Sequence, residues 1–384
     1  MKRGAASPPE WRNCDISDLC QLQRGFDLTE ATRKPGSVPV YSSSGLAYFH
    51  SEAKLQPPAV ITGRKGLLGT VYFVEEPCWP HDTTLWVKDF KGNDPRFVQI
   101  FLNEFGLERF DAATSVPTLN RNNVFGVPIH LPPVSEQRLI AAAIGDVEAL
   151  LTGLDRLIAK KRDLKQAAMQ QLLTGQTRLP GFQGVWAMRP LKAVAEISAG
   201  INKPISEMGA GALYVTVQDL YDGTSIRTDR LSRIKVSPAE VEAKGLVAGD
   251  IVFGKSSVKR EGIGYPSIFL GSAEPTVFSG FTYRARARNG TADAKYLFFA
   301  LRAEGTRRWL IDNSQASALT NINQKIADAI PIQMPPTLGE QTAIATVLSD
   351  MEANLVALEA RRDKTRALKQ GMMQELLTGR TRLV

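Results

Sequence analysis

"LLTGQTRL" at residues 172–179 and "LLTGRTRL" at residues 376–383 are the same phrase with one letter changed. Aligned backwards from this phrase at a constant offset of 204, residues 136–179 and 340–383 share 23 of 44 positions without a gap. A match of that length indicates an internal duplication, with a period far longer than that of a solenoid repeat. The sequence therefore predicts two similar halves, each a variable block followed by a shared segment.

Both shared segments carry the signals of one long helix. Each begins with Pro-Pro and then Glu-Gln, and each ends with Leu-Leu-Thr-Gly, where Gly175 and Gly379 suit the left-handed position after a helix. About 38 residues without proline lie between these signals, or roughly 57 Å at ~1.5 Å per residue. Apolar residues recur at heptad spacing: Ile140, Ile144, Val147, Leu151, Leu154, Ile158, Ala168 and Leu172, then Ile344, Leu348, Met351, Leu355, Leu358, Met372 and Leu376.

Heptad spacing is typical of a coiled-coil seam, so we expect the two helices to pack on each other. The alternative is that each apolar stripe packs on its own domain. Lys161, Lys165, Arg362 and Lys369 interrupt the seam and either set the register or lie where the helices separate. An approximate two-fold relation between the halves predicts antiparallel helices. Because the final "TRLV" lacks the continuation that follows the first "TRL", we expect the N-terminus to supply it, giving a circular organisation.

The chain has 384 residues, which suggests more than one domain, and 43% of them are hydrophobic. A net charge of +8 and a pI near 9.3 permit an anionic partner such as nucleic acid. The three cysteines have no metal-like spacing, and we expect them to be reduced. No apolar run is long enough to span a bilayer or to form a signal peptide, so the expected location is the cytoplasm.

The variable blocks have mixed α and β character. Strand-like runs include residues 58–63, 70–74, 84–87, 250–254 and 281–287, and a helix is predicted near 95–112 and 294–311. Loops rich in glycine, serine and basic residues lie between the strands: "YSSSG" (41–45), "GRKG" (63–66) and "GKSSVKREG" (254–262). Such side chains contact phosphates and base edges, although each loop alone is also typical of a solvated hairpin.

Signals for chemistry are missing. The chain has no GxxxxGK[ST] loop, no GxGxxG motif, no adenine-methyltransferase motif and no nuclease carboxylate cluster. Its three histidines are widely scattered, and His81-Asp82 has no partner set for a catalytic triad. The sequence therefore predicts a recogniser and scaffold that is not an enzyme, with no metal site and no cofactor of its own.

The whole pattern resembles the specificity subunits of Type I restriction–modification systems. The resemblance rests on the two variable blocks, the helix starts "PPVSEQ" and "PPTLGEQ", the helix ends "MQQLLTG" and "MQELLTG", and the loop "VITGRKG". It implies an α+β fold, in which two globular α/β target-recognition domains are separated by two long antiparallel coiled-coil helices, pseudo-two-fold and circular. The expected divisions are 1–131 and 180–335 for recognition, with 132–179 and 336–384 for the helices.

The resemblance also implies the function. Each recognition domain is expected to read one half of a bipartite, asymmetric site in double-stranded DNA, and the helix pair to set the gap between halves and dock two methyltransferase subunits. Motor-nuclease subunits would join the full complex. The partners would hold S-adenosylmethionine, ATP and Mg²⁺, and membranes are not involved. From residue type and loop position, the predicted DNA contacts are Ser43, Arg64, Lys65 and Asn120, then Lys255, Ser256, Lys259, Arg260 and Asn321.

Three alternatives stay open on the sequence. The partner methyltransferase can be fused to a nuclease in one chain, which the residues of this chain do not distinguish. A DNA-modifying enzyme with a divergent active site would transfer methyl groups or cut DNA by itself. A coiled-coil scaffold would show no sequence selection in the presence of its partners. For Asn120 and Asn321, a structural role in capping the entry of the long helix that follows is the alternative to a DNA contact.

Overall fold

A computed structural model describes residues 10–111, 115–221, 223–316 and 319–383. The chain divides into two compact units, one formed by residues 1–155 and 360–384 and the other by residues 156–359. Unit 1 therefore combines the first variable block with the beginning of one repeated segment and the end of the other. Unit 2 combines the second variable block with the end of the first repeated segment and the beginning of the second.

Unit 1 contains three small sheets. Its strands are β1 (Arg12–Asp15), β2 (Gln21–Arg24), β3 (Val38–Ser42), β4 (Gly45–His50), β5 (Ala59–Gly63), β6 (Val71–Val74), β7 (Trp79–Pro80), β8 (Thr84–Asp89) and β9 (Pro128–Leu131). The antiparallel pair β1–β9 lies ahead of the long helix, with Arg12 opposite Leu131. The sheet β2-β8-β5-β6 is antiparallel, whereas β3 pairs with β4 antiparallel and with β7 parallel.

Among its described residues, the α-helices that begin in unit 1 are α1 (Ile16–Leu19), α2 (Pro95–Phe105), α3 (Arg121–Val124) and α4 (Val134–Leu172). Asp94 caps α2 by accepting the Phe97 N–H, and Pro95 stands at its first turn. The helix predicted near 95–112 is shorter than expected because Gly106 takes a left-handed conformation and ends it, and a 3₁₀ turn follows at Leu107–Phe110. Helix α4 has 39 residues, close to the predicted length.

Unit 2 contains strands β10 (Ala187–Pro190), β11 (Ala195–Ala199), β12 (Met208–Val215), β13 (Ser232–Ile234), β14 (Ile251–Gly254), β15 (Ser256–Ser257), β16 (Pro266–Ile268), β17 (Thr276–Phe278), β18 (Thr282–Ala287), β19 (Gln315–Ala316), β20 (Thr320–Asn321) and β21 (Pro331–Met334). Its sheets are β10-β21, β11-β18-β14-β16, β13-β12-β17 and β15-β20-β19. Strand β12 pairs with β13 antiparallel and with β17 parallel.

Helices of unit 2 are α5 (Leu191–Val194), α6 (Pro238–Lys244), α7 (Ala294–Arg302), α8 (Glu304–Asn313), α9 (Gln324–Ala329) and α10 (Leu338–Leu376), the last also of 39 residues. Short 3₁₀ turns occur at Ile205–Glu207, Gln218–Leu220, Thr228–Arg230 and Arg260–Gly262. The single helix predicted near 294–311 is instead two, because Ala303 leaves helical geometry with ψ near 142° and its N–H bonds the Ala300 carbonyl.

The sheet orders show that the duplication extends through the variable blocks. Each unit has an antiparallel pair of strands ahead of a long helix, a four-stranded antiparallel sheet, and a three-stranded sheet in which one pair of strands is parallel. The spatial order of the strands in the four-stranded sheet is the same in both units. In unit 1 these are β1-β9, β2-β8-β5-β6 and β4-β3-β7, and their counterparts in unit 2 are β10-β21, β11-β18-β14-β16 and β13-β12-β17. The small sheet β15-β20-β19 is the addition in unit 2.

Each core includes the beginning of one long helix and the end of the other. In unit 1, Ile140 and Ile144 of α4 and Met373 and Leu376 of α10 join the same buried cluster. In unit 2 the corresponding cluster takes Met169, Leu172 and Leu173 from α4 and Ile344, Ala345 and Leu348 from α10. The apolar stripes therefore pack both on the other helix and on the globular part of the same unit. Both of the packing modes considered from the sequence occur.

A buried glutamate explains why "EQ" and "TRL" recur together. In unit 1, Glu136 accepts from the indole Nε1 of Trp11 at 3.0 Å and from Arg382 Nε at 2.7 Å, and Arg382 also bonds Glu10. In unit 2, Arg178 forms two hydrogen bonds to Glu340, at 2.8 and 2.6 Å. The arginine of each "TRL" thus returns to the glutamate at the start of the other long helix.

Ion pairs in each unit show that the helices run antiparallel. Glu148 of α4 pairs with Lys369 of α10 at 2.7 Å in unit 1, and Lys165 pairs with Glu352 in unit 2. Glu148 and Glu352 occupy equivalent positions of the repeat, as do Lys165 and Lys369, because each two are separated by the offset of 204. Lys165 and Lys369, two of the basic residues that interrupt the seam, therefore pair across it and support a fixed register. The predicted α+β class with a repeated domain and paired long helices is confirmed.

Candidate nucleic-acid interface

In unit 1 the backbone brings three predicted segments together. The N–H groups of Arg64 and Lys65, just after β5, both donate to the carbonyl of Thr83, at 2.8 and 3.1 Å. The Arg64 carbonyl accepts the N–H of Leu119 at 2.8 Å, so residues 64–67 run beside residues 116–119. The Ser43 N–H lies 3.4 Å from the Thr83 hydroxyl. Ser43, Arg64 and Lys65 are therefore held on one set of loops.

Glycines make this close approach possible. A Cβ on Gly63 would lie 1.8 Å from the Leu67 carbonyl oxygen, a distance that no side chain tolerates. Gly66 has a φ of +90°, in the region that favours glycine. The "GRKG" sequence thus forms a tight turn that presents Arg64 and Lys65, and its glycines are required by the turn.

The side chains of this loop differ in how they are held. Arg64 is half-buried and its Nη1 lies 3.3 Å from the Asp82 carbonyl oxygen, while the Asp82 carboxylate is bonded by Arg24 at 2.9 Å. Lys65 is exposed. His81 and Asp82, for which the sequence offers no catalytic-triad partners, contact each other at 2.7 Å beside the loop. Arg64 and Lys65 therefore present positive charge from a fixed backbone.

Asn120 has a structural role, but it caps the short helix α3 and not the entry of the long helix α4. Its side-chain oxygen accepts the Asn122 N–H at 3.0 Å and caps α3. In unit 2 the residue with this role is Asn323, which caps α9 by accepting the Ile326 N–H at 3.0 Å. A carboxamide that caps a helix keeps its NH₂ group as a further donor. The DNA contact of Asn120 stays a prediction.

Unit 2 repeats the same loop arrangement with different side chains. The Lys255 N–H donates to the Phe281 carbonyl at 2.9 Å, and the Lys255 carbonyl accepts the Ile322 N–H at 2.9 Å. Ser256 then pairs with Asn321, as Lys65 pairs with Thr118 in unit 1. Lys255 therefore corresponds to Arg64, Phe281 to Thr83 and Asn321 to Thr118. The counterpart of Asn120 is Asn323, which was not among the predicted contacts.

Lys255 points inward, unlike the other predicted cations of unit 2. Its Nζ donates to the Gly280 carbonyl at 2.6 Å and lies 4.5 Å from the centre of the Tyr283 ring. Burial, and to a smaller extent the charge of Lys244, lowers the pKa of the Lys255 ammonium. Lys259 and Arg260 are exposed, and Arg260 Nη2 lies 3.4 Å from the Ile311 carbonyl oxygen. These two residues offer charge to an anionic partner more directly than Lys255 does.

A cavity of about 830 Å³ lies among these loops in unit 2. Ser256 and Lys259 line it together with apolar side chains, which include Val258, Phe281 and Leu319. Behind it, Arg302 contacts the Tyr265 hydroxyl, and Arg307 donates to the Glu261 and Ile263 carbonyls at 2.9 and 2.5 Å.

The Nη1 atoms of Arg302 and Arg307 are buried without a hydrogen-bond partner within the described ranges. Burial lowers the pKa of the Arg307 guanidinium. Sequence reasoning missed both arginines, because they lie on helices α7 and α8, outside the basic loops. Their only signal is the cluster of arginines in "LRAEGTRRW".

Neither a metal site nor a membrane span is found in the described part of the chain. Residues 10–111, 115–221, 223–316 and 319–383 contain no group of three His, Cys, Asp or Glu side chains arranged to hold a metal ion. Within the same ranges no helix combines the length and the apolar character that crossing a bilayer needs.

Comparison with known proteins identifies the family. The family model described as the Type I restriction modification DNA specificity domain matches residues 8–161 and again residues 185–366. The two matches cover most of the chain, one in each half. The chain therefore belongs to the Type I restriction–modification specificity family and is a DNA-recognition component. Specificity subunits of this family are generally non-catalytic.

Individual relatives agree with this family. The Type I restriction enzyme MjaVIII specificity subunit of Methanocaldococcus jannaschii is 24% identical over 305 residues, which span 75% of this chain and 70% of the relative. The solved S subunit of a Type I system from M. genitalium has a TM-score of 0.67 at 13% identity and 98% coverage of both chains.

A second solved chain comes from a study of complex assembly and conformational transition of the type I R-M system. It has a TM-score of 0.57 at 17% identity, covering 98% of this chain and all of that one. At these identities both solved structures establish the shared fold.

Proposed function

We propose that this chain selects the DNA target of a Type I restriction–modification complex, with each unit reading one half of a bipartite, asymmetric site. One observation carries the proposal: in both units two equivalent backbone hydrogen bonds join the matched segments, and the side chains at the matched positions differ. These bonds are Arg64 N–H to Thr83 and Leu119 N–H to Arg64 in unit 1, and Lys255 N–H to Phe281 and Ile322 N–H to Lys255 in unit 2. A duplicated loop arrangement with divergent side chains suits two readers of different sequences. Base edges are distinguished by side chains, whereas backbone contacts carry little sequence information.

The DNA contacts proposed for unit 1 are Ser43, Arg64 and Lys65, together with Asn120, which follows the residue bonded to Arg64. Arginine can bond guanine in bidentate geometry, and lysine pairs well with phosphate. For unit 2 the proposed contacts are Lys259 and Arg260, with Ser256 and Asn321 on the adjoining strands. Lys255 is proposed to act mainly by holding its loop, because its ammonium group is already bonded to Gly280.

The experiment is a map of methylated sites in cells that express this chain with its methyltransferase subunit. A two-part motif with a fixed gap, lost when only this chain is omitted, is the expected result. Arg64→Ala should change or weaken one half, and Lys259→Ala the other, each by roughly 5- to 150-fold in affinity, or about 1–3 kcal/mol. Lys88→Ala and Lys235→Ala remove exposed lysines outside the loops and serve as matched controls. Methylation that is independent of the chain would refute the proposal.

We propose further that the paired helices set the gap between the halves. The repeated Glu148–Lys369 and Lys165–Glu352 pairs support a fixed register. One heptad inserted at matched positions in both helices adds about 10 Å, or about three base pairs at ~3.4 Å each. The methylated motif should then keep both halves and gain about three unread base pairs. A gap that stays constant would show that another part of the complex sets it.

Exposed leucines on α4 support docking of two methyltransferase subunits on the helices. In unit 2, Leu157 and Leu164 lie one heptad apart, with 39% and 47% of each residue exposed. Exposed apolar side chains in heptad register are typical of a helix that receives a partner. Leu157→Ser with Leu164→Ser should reduce co-purification of the methyltransferase, while Lys160→Ala between them should not. Equal recovery in both variants would exclude this face.

The remaining partners follow from the same assignment. The proposed complex includes motor-nuclease subunits, either separate or fused to the methyltransferase, and the partners hold S-adenosylmethionine, ATP and Mg²⁺. This chain is proposed to bind none of these cofactors. The purified chain alone should neither transfer methyl groups to DNA nor cut it, and either activity in the absence of partners would favour a divergent enzyme instead.

A further inference from the structure

Both units expose a pair of apolar side chains at matched positions beside the basic loops. Leu67 and Val258 lie three residues after the matched Arg64 and Lys255, and they are 54% and 86% exposed. Leu119 and Ile322 are the hydrogen-bond partners of Arg64 and Lys255. Val116 and Leu319 lie three residues before these partners, and they are 45% and 42% exposed. In unit 2 the pairing of Ser257 with Thr320 leads directly to Val258 and Leu319, which line the same cavity. In unit 1 the hydrogen bond from the Gly66 N–H to the Pro117 carbonyl leads directly to Leu67 and Val116.

All four side chains are exposed in the part of the chain that the structure describes. Residues of this size are normally buried, and isolated exposed ones need no explanation, but the same exposed pair at the same place in two divergent units does. In unit 2 the pair lines the cavity with Phe281, which is 63% exposed and replaces the Thr83 of unit 1. The surrounding residues include the exposed cations Lys259 and Arg260. The cavity lining includes the cations Lys259 and Arg302 and one carboxylate, Glu261, so positive charges outnumber negative ones around the apolar surface.

We propose that these pairs, Leu67 with Val116 and Val258 with Leu319, are specificity-determining residues that read thymine through its 5-methyl group. The inference rests on the proposed function, since it concerns how the same loops read DNA. The basic surroundings favour DNA as the occupant over an apolar protein surface. In the major groove the thymine methyl is the apolar feature of the base edges, and aliphatic side chains are its usual contacts. Phe281 extends this surface in unit 2.

The experiment removes the methyl group alone. In a duplex with the mapped target, each thymine is replaced in turn by deoxyuridine, and binding by the assembled complex with its methyltransferase subunits is measured at one salt concentration. At least one replacement in each half should weaken binding by about fourfold, the effect of one buried methyl group. Val258→Asn keeps a side chain of similar size without a methyl group and should reduce the thymine preference in one half only. Val185→Asn, at a residue 90% exposed in unit 2 but outside the loops, is the control.

The outcomes separate this inference from the proposed function. A wild-type complex that binds the target and a scrambled duplex equally refutes the proposed function and the inference with it. Selective binding with no effect of any deoxyuridine refutes the inference alone. A Val258→Asn variant that binds every sequence more weakly, with the thymine preference unchanged, also refutes it and favours an apolar wedge between base steps. Loss of the preference in one half, with overall selectivity retained, supports it.

Discussion

Gln137 is predicted to be a main stabilising residue of unit 1. Its side chain is fully buried at the start of α4 and makes three hydrogen bonds. The amide nitrogen donates to Asn93 Oδ1 at 2.8 Å and to the Pro132 carbonyl at 3.0 Å, and the amide oxygen accepts the Asp94 N–H at 2.9 Å. Asn93 in turn bonds three carbonyls, including that of Leu19. One glutamine thus joins the long helix to the capped start of α2.

The magnitude follows from the groups left without partners. Gln137→Met keeps the size and flexibility of the side chain and removes all three hydrogen bonds. Two acceptors, Asn93 Oδ1 and the Pro132 carbonyl, and one donor, the Asp94 N–H, then lose this partner. Each unsatisfied buried group costs about 1–3 kcal/mol, and partial access of water to the Asp94 N–H favours the lower end. We expect a loss of about 3 kcal/mol in the free energy of unfolding of unit 1. For a unit of this size, that loss lowers its Tm by roughly 6–12 °C.

Native-state hydrogen exchange measured by mass spectrometry is the appropriate assay, because it follows the two units separately. Gln374→Met, at an exposed glutamine of α10 in unit 1, is the matched control and should change stability by less than about 0.5 kcal/mol. Gln341→Met in unit 2 should have a smaller effect than Gln137→Met, since Gln341 accepts from Asp293 at 2.9 Å but donates to Thr291 at 3.4 Å. A Gln137 variant as stable as the control would refute the reasoning.

Three further predictions concern single side chains. Burial raises the pKa of Cys20 to about 12, so the folded state holds a proton that the unfolded state releases above about pH 9. This thiol should lower stability with rising pH, by about 1.4 kcal/mol at pH 10, and Cys20→Ala should reduce the slope of a pH series of urea unfolding curves. Cys78, whose pKa is raised to about 11, should maintain part of the slope in that variant. Asn120→Ala should cost about 1 kcal/mol through loss of the cap, whereas Asn120→Asp should keep thermal stability and weaken DNA binding; unchanged DNA binding would leave Asn120 a purely structural role. Lys165→Glu should destabilise unit 2 by about 1 kcal/mol, and adding Glu352→Lys should restore hydrogen-exchange protection; no recovery would argue against their pairing.

Much of the fold could be predicted because the duplication is visible in the letters. Glu-Gln marks the start of each long helix, Leu-Leu-Thr-Gly marks its end, and the heptad stripe marks its packed face. All three are local signals in the sequence. Gly175 and Gly379 do take the left-handed conformation, with φ near 73° and 71°. The role of the repeated glutamate could not be predicted, because its partner arginine comes from the other copy of the repeat. Only the folded chain brings Glu136 to Arg382.

The loop side chains were harder to predict because residue type does not determine direction. Lys255 and Lys259 are both basic residues of one glycine-containing loop, yet Lys255 bonds the Gly280 carbonyl while Lys259 is exposed. Likewise Asn120 and Asn321 were chosen from similar sequences, but the backbone register makes Asn323 the true counterpart of Asn120. The register depends on pairing between segments distant in sequence, which composition does not reveal.

The matched loops suggest how one fold can serve many targets. The hydrogen bonds that hold residues 64–67 against 116–119, and 255–258 against 319–322, are almost all between backbone groups. Backbone bonds do not depend on which side chain stands at a position, so these side chains can change without loss of the arrangement. The exchange of Thr83 for Phe281 at one backbone site is an example within a single chain. Glycines such as Gly63 are the exception, because the close approach of the backbone requires them. New specificity in this fold should therefore come from the side chains between these glycines, while the long helices and their buried glutamates stay constant.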